Sequence, residues 1–333
     1  MPCSQAWGAP MPGIPYTVNK RGFGPAWTNS LFENNAELAL GTFLSVTQQR
    51  KAEKTRVENL LDSRSVSYRL REVAEDWLSS NDDFEKSRKA TDDLIEALEN
   101  EKNGPLKKEI EEILKYKDQL AKKTFWMYGG DGWAYDIGFG GLDHVISLGL
   151  NLNILIIDTE VYSNTGGQSS KATPVGAVAQ FASSGKKTRK KDIGAMLMSY
   201  GNVYVASVAM GADQNQLVKA IKEAESYDGT SVIVAYAPCS AHGIRTGMGT
   251  TQKEMKKAVD AGYWFLYRYD PRKEHPMTLD SKEPTMDYEE FLDGETRYSA
   301  LRRTFPDNAI DLFKIGSEDS KARYEKYLKM SKE

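Results

Sequence analysis

From residue 124 onward, short apolar runs alternate with stretches of helical periodicity. The runs 124–128, 153–158, 203–208 and 231–237 are apolar at successive positions, so both faces of each predicted strand are expected to be covered. Helical spacing falls near 142–148, 175–181, 193–200 and 214–226. Such strands, separated by helices, are typical of a parallel sheet with helices on each face. The pattern predicts a doubly wound, mostly parallel α/β core over residues 124–270.

Residues 51–123 have a different pattern, because charged side chains of both signs dominate and nearly cancel. Their apolar residues recur at helical spacing, which predicts a charged helical insertion made of amphipathic helices with solvated ion pairs. An arm that docks a partner is the alternative. The apolar positions are Leu60, Leu61, Leu70, Val73, Trp77, Leu94, Ile95, Leu98, Ile110, Ile113 and Leu114.

The two ends of the chain are less regular. Residues 1–30 combine prolines and glycines with large apolar side chains, which predicts an irregular arm that packs along a surface. Ser30 and Glu33 fit a capping box at the start of a buried helix over 31–50. Residues 271–333 form a C-terminal tail of mixed charge with scattered prolines, from which we expect short helices and turns.

Composition narrows the class of protein. The 333 residues carry 44 basic and 47 acidic side chains, a net charge of −3, and this balance argues against a nucleic-acid partner. We expect no membrane span, because no run of about eighteen apolar residues occurs. We see no secretory signal, and two cysteines, Cys3 and Cys239, cannot build a disulfide framework, so a cytoplasmic compartment is expected.

A glycine-rich segment directly follows the first predicted strand. Gly130 and Gly132 flank Asp131, and a predicted helix follows. Glycines allow the backbone to approach a diphosphate closely, and a helix N-terminus favours anions. A carboxylate in such a loop would repel the diphosphate unless a divalent cation lay between them, so we interpret Asp131 as a Mg²⁺ ligand. A plain turn residue is the alternative.

A second polar segment, residues 158–168, follows the next predicted strand. Thr159 offers a hydroxyl and Val161 a backbone carbonyl to the same ion, with diphosphate oxygens and water completing its octahedral coordination. Ligands of open parallel sheets bind beyond the carboxyl ends of the strands, which is where both segments lie. The run 164–167, Asn-Thr-Gly-Gly, is also compatible with an ordinary turn.

With these motifs in view, the chain closely resembles the pyruvate:ferredoxin oxidoreductases, the single-chain family of 2-oxoacid oxidoreductases, over nearly its whole length. The longest matching runs are 130–138 and 158–174, and shorter ones lie at 3–4, 24–27, 30–33, 236–239 and 262–264. The resemblance implies the C-terminal portion of that family's chain, the domain that binds the diphosphate half of thiamine pyrophosphate. It also implies that N-terminal domains of the same polypeptide are missing here.

The resemblance assigns roles to individual residues. Asp131, Thr159 and the Val161 carbonyl match Mg²⁺ ligands, and Asn164 matches a catalytic side chain beside the reacting carbon of the cofactor. Cys3 and Cys239 match two of the four thiolates of a 4Fe-4S cluster. The other two lie in a Cys-x-x-Cys segment that this chain lacks, so its cluster ligand set is incomplete. The residues that match the cofactor loops and the cluster are Cys3, Gly130, Asp131, Gly132, Trp133, Thr159, Glu160, Val161, Tyr162, Ser163 and Asn164.

The activity implied by the resemblance is oxidative decarboxylation of pyruvate, with coenzyme A, to acetyl-CoA and CO₂. Electrons would pass through 4Fe-4S clusters to ferredoxin or flavodoxin, in a homodimer of the cytoplasm or of an anaerobic organelle. The isolated chain is expected to be inactive. Two alternatives remain open: the same domain of a pyruvate:NADP fusion enzyme, and an inactive remnant that serves as a binding module.

Other polar residues have simpler interpretations. His144 fits a packed or capping histidine, and His242 and His275 fit structural or solvated positions. Asp136 and Asp143 either extend the metal site or interact with a helix dipole. Lys171 could pair with an anionic cofactor. The basic run 186–191 fits a solvated loop; the alternative is a contact with coenzyme A phosphates or an acidic ferredoxin.

Overall fold

A computed structural model describes residues 34–80 and 83–333 of the chain. Its contacts divide these residues into two compact units: Ala39–Phe125, and a second unit of residues 34–38 with Trp126–Glu333. The predicted arm over 1–30, the capping box at Ser30 and the Cys3 thiolate lie outside the described residues. None of the described helices is long and apolar enough to span a membrane.

The unit Ala39–Phe125 is helical. It contains most of α1 (Asn35–Leu61), then α2 (Tyr68–Ser79), α3 (Phe84–Glu101) and α4 (Lys107–Lys115). The apolar positions selected by helical spacing form its core, in which Trp77 is fully buried and donates its indole N–H to Thr91 Oγ1 at 3.1 Å and to the Leu120 carbonyl at 3.2 Å. The polar faces carry exposed i,i+3 and i,i+4 ion pairs such as Arg69–Glu72.

The second unit is built on a six-stranded sheet. Its strands are β1 (Trp126–Gly130), β2 (Asn153–Asp158), β3 (Tyr204–Val208), β4 (Ser231–Tyr236), β5 (Tyr267–Tyr269) and β6 (Met277–Leu279), in the order β1-β2-β4-β3-β5-β6. The first four run parallel, and β5 and β6 add an antiparallel edge. The mostly parallel α/β class is confirmed. The antiparallel edge is an addition to the predicted core, because three-residue strands leave no periodic signal.

Helices cover the sheet. They are α5 (Phe139–Ser147), α6 (Ile193–Met198), α7 (Gln214–Glu225), α8 (Thr251–Asp260), α9 (Tyr288–Asp293), α10 (Thr296–Thr304) and α11 (Pro306–Met330). The expectation of only short helices in the tail is wrong, because α11 has 25 residues and begins with Pro306 in its first turn, where a missing N–H costs nothing.

The helix predicted near 175–181 is also wrong. Gly176 has φ +80° and Phe181 has φ +66°, both in the left-handed region, which a continuous helix cannot contain. The segment instead forms turns and isolated bridges, with Gln180 paired to Gln168. Its amide and carbonyl groups are satisfied by other loops; for example, Gly176 N–H donates to the Lys186 carbonyl at 2.8 Å.

The antiparallel edge is fixed by an arginine that gives a testable pH dependence. Arg268, only 5% exposed, contacts Glu223 Oε1 at 2.7 Å and pairs with both oxygens of Asp280. Burial opposes ionisation of Glu223, but hydrogen bonds from Arg268 and Tyr204 outweigh it and lower the pKa of Glu223 below its ordinary 4.5. The carboxylate therefore stabilises the fold above pH 4.5, and this stabilisation is lost as the pH falls through the lower folded value.

We expect Glu223→Gln to lower the urea midpoint at pH 7 and to lose this difference from the wild type as the pH is lowered toward 3. The matched control is Glu289→Gln, which removes an ion pair to Arg302 that is 42% and 49% exposed, and which should change the midpoint little at any pH. A deficit for Glu223→Gln that stays constant down to pH 3 would contradict the assignment.

Candidate cofactor site

The two motif segments meet because β1 and β2 are neighbouring parallel strands. Their register pairs Gly130 with Ile157, so the loops that follow leave the same edge of the sheet. The Thr159 hydroxyl lies 2.8 Å from Asp131 Oδ1 and 3.1 Å from the Val161 carbonyl oxygen. The Thr159 amide also donates to Asp131 Oδ1 at 3.2 Å. The three oxygen donors named from the sequence are therefore adjacent.

A cleft lies beside these donors. Its floor includes Gly132, where an added Cβ would lie 2.5 Å from the Tyr162 ring, so the close packing here requires glycine. Asp131 begins a π-helical turn, Gly132–Ile137, that leads into α5, and Trp133 in this turn is buried. The residues lining the cleft are Gly130, Asp131, Gly132, Trp133, Thr159, Val161, Tyr162, Ser163, Asn164 and Thr165.

This set contains every cofactor-loop residue predicted from the sequence within 130–133 and 159–164 except Glu160, and adds Thr165. Asn164 is exposed, on a 3₁₀ turn over Ser163–Thr165, and the following Gly166 has φ +115°. The run after Asn164 is thus a turn, as its composition allowed, and the same turn forms one wall of the cleft. The two interpretations of this run are compatible.

Asp131 is a buried carboxylate that forms no ion pair with another described residue, although the charge of Lys190 acts on it from a greater distance. It is 1% exposed, and Ser170 Oγ donates to its Oδ2 at 2.9 Å. Within residues 34–80 and 83–333 no lysine or arginine lies within ion-pair distance of it. Burial, together with the neighbouring Asp158 carboxylate, raises the pKa of Asp131 to about 7, against the hydrogen bonds from Thr159 and Ser170. A divalent cation at this position would favour the ionised form.

The donor set fits Mg²⁺ better than a softer metal. A carboxylate, a hydroxyl and a carbonyl are hard oxygen donors, and Mg²⁺ is usually held by one or two carboxylates plus substrate phosphates and water. The described part of the chain contains no group of three or more His, Cys, Asp or Glu side chains arranged for a metal. A single carboxylate leaves coordination positions for diphosphate oxygens.

Glu160 faces away from the cleft. Its Oε2 lies 2.7 Å from Arg297 Nη2 and its Oε1 lies 3.1 Å from Lys190 Nζ, and Tyr263 also donates to it. Although burial opposes ionisation, Lys190 and Arg297 hold the pKa of Glu160 at about 2. The backbone of Glu160 is in the left-handed region, with φ +60°. The structure therefore does not place the Glu160 side chain in the cleft.

The basic run 186–191 is not a simple solvated loop, so that prediction is wrong in part. Lys190 is 14% exposed and lies 2.7 Å from Asp158 Oδ2, between the carboxylates on either side of Thr159. Lys186 Nζ donates to the carbonyls of Ser170 and Thr173. Lys186 and Lys190 therefore both contact the segment 158–173, which follows β2. The sequence offered one indication of such a buried lysine, because Asp158 and Glu160 on either side of Thr159 would need a cation partner if buried.

The remaining candidates lie outside the cleft. Asp136 pairs with Lys171 at 2.8 Å, and Asp143 accepts from Tyr200 at 2.8 Å. His144 is exposed on α5 rather than packed. Cys239 is a buried free thiol whose Sγ accepts from the Ala241 amide at 3.4 Å.

His242 is fully buried, and its Nε2 lies 2.8 Å from the Thr159 carbonyl oxygen. Nothing in the sequence marks Glu295 and Arg297 as supports of this loop, because Glu160 and His242 are distant from them along the chain.

One segment of the chain matches a known protein family. Residues 114–235 match the family model for the C-terminal TPP binding domain of thiamine pyrophosphate enzymes. This part of the chain is similar to that cofactor-binding domain, and it contains strands β1 to β3.

The particular relatives are pyruvate oxidoreductases. The chain is 52% identical over 336 residues to pyruvate:ferredoxin oxidoreductase of Moorella thermoacetica and 51% identical over 339 residues to pyruvate-flavodoxin oxidoreductase of Klebsiella pneumoniae, covering 99% of this chain and 28% of each relative. It is 45% identical to the mitochondrial pyruvate dehydrogenase [NADP(+)] of Euglena gracilis, over 98% of this chain and 18% of that protein. The chain is similar to the first two relatives over almost its whole length, and it spans just over a quarter of theirs.

Proposed function

We propose that this chain binds the diphosphate of thiamine pyrophosphate through Mg²⁺ held by Asp131, Thr159 and the Val161 carbonyl. The observation that carries the proposal is the convergence of these three oxygen donors at the ends of two neighbouring strands, with contacts of 2.8 and 3.1 Å, beside a cleft lined by the predicted loop residues. The buried carboxylate without a cation partner supports it further, because a bound ion would supply the missing positive charge.

Within this proposal each residue has a defined task. Asp131 and Thr159 hold the ion, and Gly132 leaves the backbone accessible to the anion. Asn164, exposed at the rim of the cleft, would contact the reacting part of the cofactor and the substrate. When bound, thiamine pyrophosphate supplies an electron sink for decarboxylation of a 2-oxoacid. The chain's own contribution is to fix the position of the diphosphate end.

For the full-length protein, meaning this chain with the further domains its relatives carry, we propose oxidative decarboxylation of pyruvate with coenzyme A to acetyl-CoA and CO₂. Electrons would leave through 4Fe-4S clusters to ferredoxin or flavodoxin, with Cys3 and Cys239 as two thiolate ligands and the others supplied from outside this chain. The names of the most similar relatives support pyruvate and these two carriers. We propose a homodimer, and we expect the isolated chain to be inactive.

The second candidate is a pyruvate:NADP enzyme, which the Euglena gracilis relative favours because 98% of the present chain aligns with it. The two candidates share the cofactor site and differ only in where the electrons go. No described residue distinguishes them.

The test is an anaerobic assay of the full-length protein with pyruvate, coenzyme A, Mg²⁺ and thiamine pyrophosphate, using ferredoxin, flavodoxin or NADP⁺ as acceptor. We expect acetyl-CoA formation coupled to reduction of ferredoxin or flavodoxin, and loss of activity when Mg²⁺ is chelated. Direct NADPH formation would favour the second candidate. Failure to oxidise pyruvate with all three acceptors would contradict both.

A further inference from the structure

A short segment of the C-terminal tail clamps the loop that carries Thr159. We define the clamp as Glu295 and Arg297, which lie where α9 is connected to α10. Their segment is fixed by backbone contacts to the turn after β4: Thr296 N–H donates to the Gly243 carbonyl at 2.9 Å, and Arg245 N–H donates to the Gly294 carbonyl at 3.0 Å. The clamp therefore has its own rigid attachment.

The first arm of the clamp runs through His242. Its Nε2 lies 2.8 Å from the Thr159 carbonyl oxygen, and because a carbonyl only accepts, Nε2 must carry the proton and donate. Its Nδ1 lies 3.5 Å from Glu295 Oε1, a close contact that is not a hydrogen bond. Both side chains are fully buried, so water does not compete for this contact.

The second arm runs through Glu160. Arg297 lies between two carboxylates, with Nη2 2.7 Å from Glu160 Oε2 and Nε 2.7 Å from Glu295 Oε2, and the three side chains are at most 1% exposed. The left-handed backbone of Glu160, with φ +60°, is unfavourable for a residue with a Cβ and persists only where surrounding contacts enforce it. The ion pair with Arg297 is such a contact.

Thr159 is thus held from both sides of its own peptide unit. Its carbonyl is fixed by His242, the next residue is fixed by Arg297, and its hydroxyl is left to face Asp131 and the Val161 carbonyl. If either the His242 hydrogen bond or the Arg297 ion pair were lost, the Thr159 peptide could rotate. The Thr159 hydroxyl would then leave the position where the oxygen donors converge. We propose that His242 and the clamp are positioning residues for the metal site, acting through the Thr159 backbone. This inference rests on the proposed function, because it assigns the purpose of the clamp to cofactor binding.

The test compares His242→Asn and His242→Gln in the full-length protein. A glutamine amide can place a donor near the position of Nε2, whereas an asparagine amide reaches only the position of Nδ1. We expect His242→Asn to weaken Mg²⁺-dependent binding of thiamine pyrophosphate, measured by calorimetry, by about 10- to 100-fold, the range for outer partners of metal ligands. His242→Gln should bind within about threefold of the wild type, and Glu295→Gln should fall between the two.

A merely structural role predicts a different result. Both variants would then lower the unfolding temperature alike, and the folded fraction would bind the cofactor with unchanged affinity. Wild-type affinity in His242→Asn, or equal loss in both variants, would overturn the proposal.

Hydrogen exchange of residues 159–164 without cofactor provides an independent measurement. The proposal requires faster exchange in His242→Asn but not in His242→Gln. If the wild-type protein does not bind thiamine pyrophosphate at all, the proposed function fails, whereas unchanged exchange in His242→Asn defeats the clamp itself.

Discussion

Replacing Asp131 with alanine is expected to abolish Mg²⁺-dependent binding of thiamine pyrophosphate by the full-length protein. Removal of an outer partner of a metal ligand costs about 10- to 100-fold in affinity, and loss of the one carboxylate among the predicted donors should cost more than about 100-fold. Asp131→Asn keeps one acceptor oxygen, for either Thr159 or Ser170, but lacks the charge, so it should also bind poorly. Calorimetric titration with and without Mg²⁺ measures both variants.

Two controls separate the metal assignment from a general loss of folding. Asp143→Asn removes a carboxylate on α5 that accepts from Tyr200 and lies outside the cleft, and it should bind the cofactor normally. Asn164→Ala should retain cofactor binding but lose turnover, because this side chain is assigned to the reacting end. Unchanged affinity in Asp131→Ala, or an equal defect in Asp143→Asn, would refute the metal site.

Replacing Arg297 with alanine should produce the largest loss of stability in the α/β unit. The guanidinium pairs with Glu160 and Glu295, which are 1% and 0% exposed, and its removal leaves Glu295 buried without that cation and Glu160 with Lys190 alone. Breaking a buried ion pair by deleting one partner costs about 3–5 kcal/mol. For a unit of this size the unfolding temperature should fall by roughly 10 °C, measured by thermal denaturation.

Arg302→Ala is the matched control on the same helix, α10. Arg302 is 42% exposed and pairs with Glu289 and Asp293 on the surface, where such pairs contribute about 0–1 kcal/mol. Similar unfolding temperatures for the two alanine variants would contradict the assignment of Arg297 as the central cation of a buried cluster. We also expect the loss of stability in Arg297→Ala to become smaller as the pH falls, because Glu295 can then become neutral. Although burial opposes ionisation of Glu295, Arg297 and His242 hold its pKa below the ordinary value.

The meeting of the two motif loops could be predicted because the information for it is local. Each loop directly follows an apolar strand, and strand adjacency alone brings Asp131 and Thr159 together. The helical insertion could be predicted for a similar reason, since spacing of Leu70, Val73 and Trp77 on one face is a property of neighbouring residues.

The support of the loops could not be predicted in this way. Arg297 contacts Glu160 across 137 positions, and His242 reaches Thr159 across 83. Neither partner carries a mark in the sequence beyond its charge or its donor group, and Arg297 lies in a tail of mixed composition. Pairings of this kind depend on how strands and helices pack, which no periodicity encodes.

The failed helix near 175–181 has the same origin. Its apolar residues have helical spacing, yet Gly176 and Phe181 take left-handed angles because the segment pairs with the loop after β2. Tertiary contacts outweighed local propensity.

The position of the clamp has a practical consequence for anyone trimming this chain to a smaller unit. The recognisable family domain stops at residue 235, upstream of the histidine, the glutamate and the arginine that brace Thr159. A fragment cut at that limit would keep the residues of both motif loops and lose the side chains that hold the Thr159 peptide. Boundaries for expression or for grafting should therefore follow the buried salt links to residue 304, the end of α10, rather than the limits of sequence similarity.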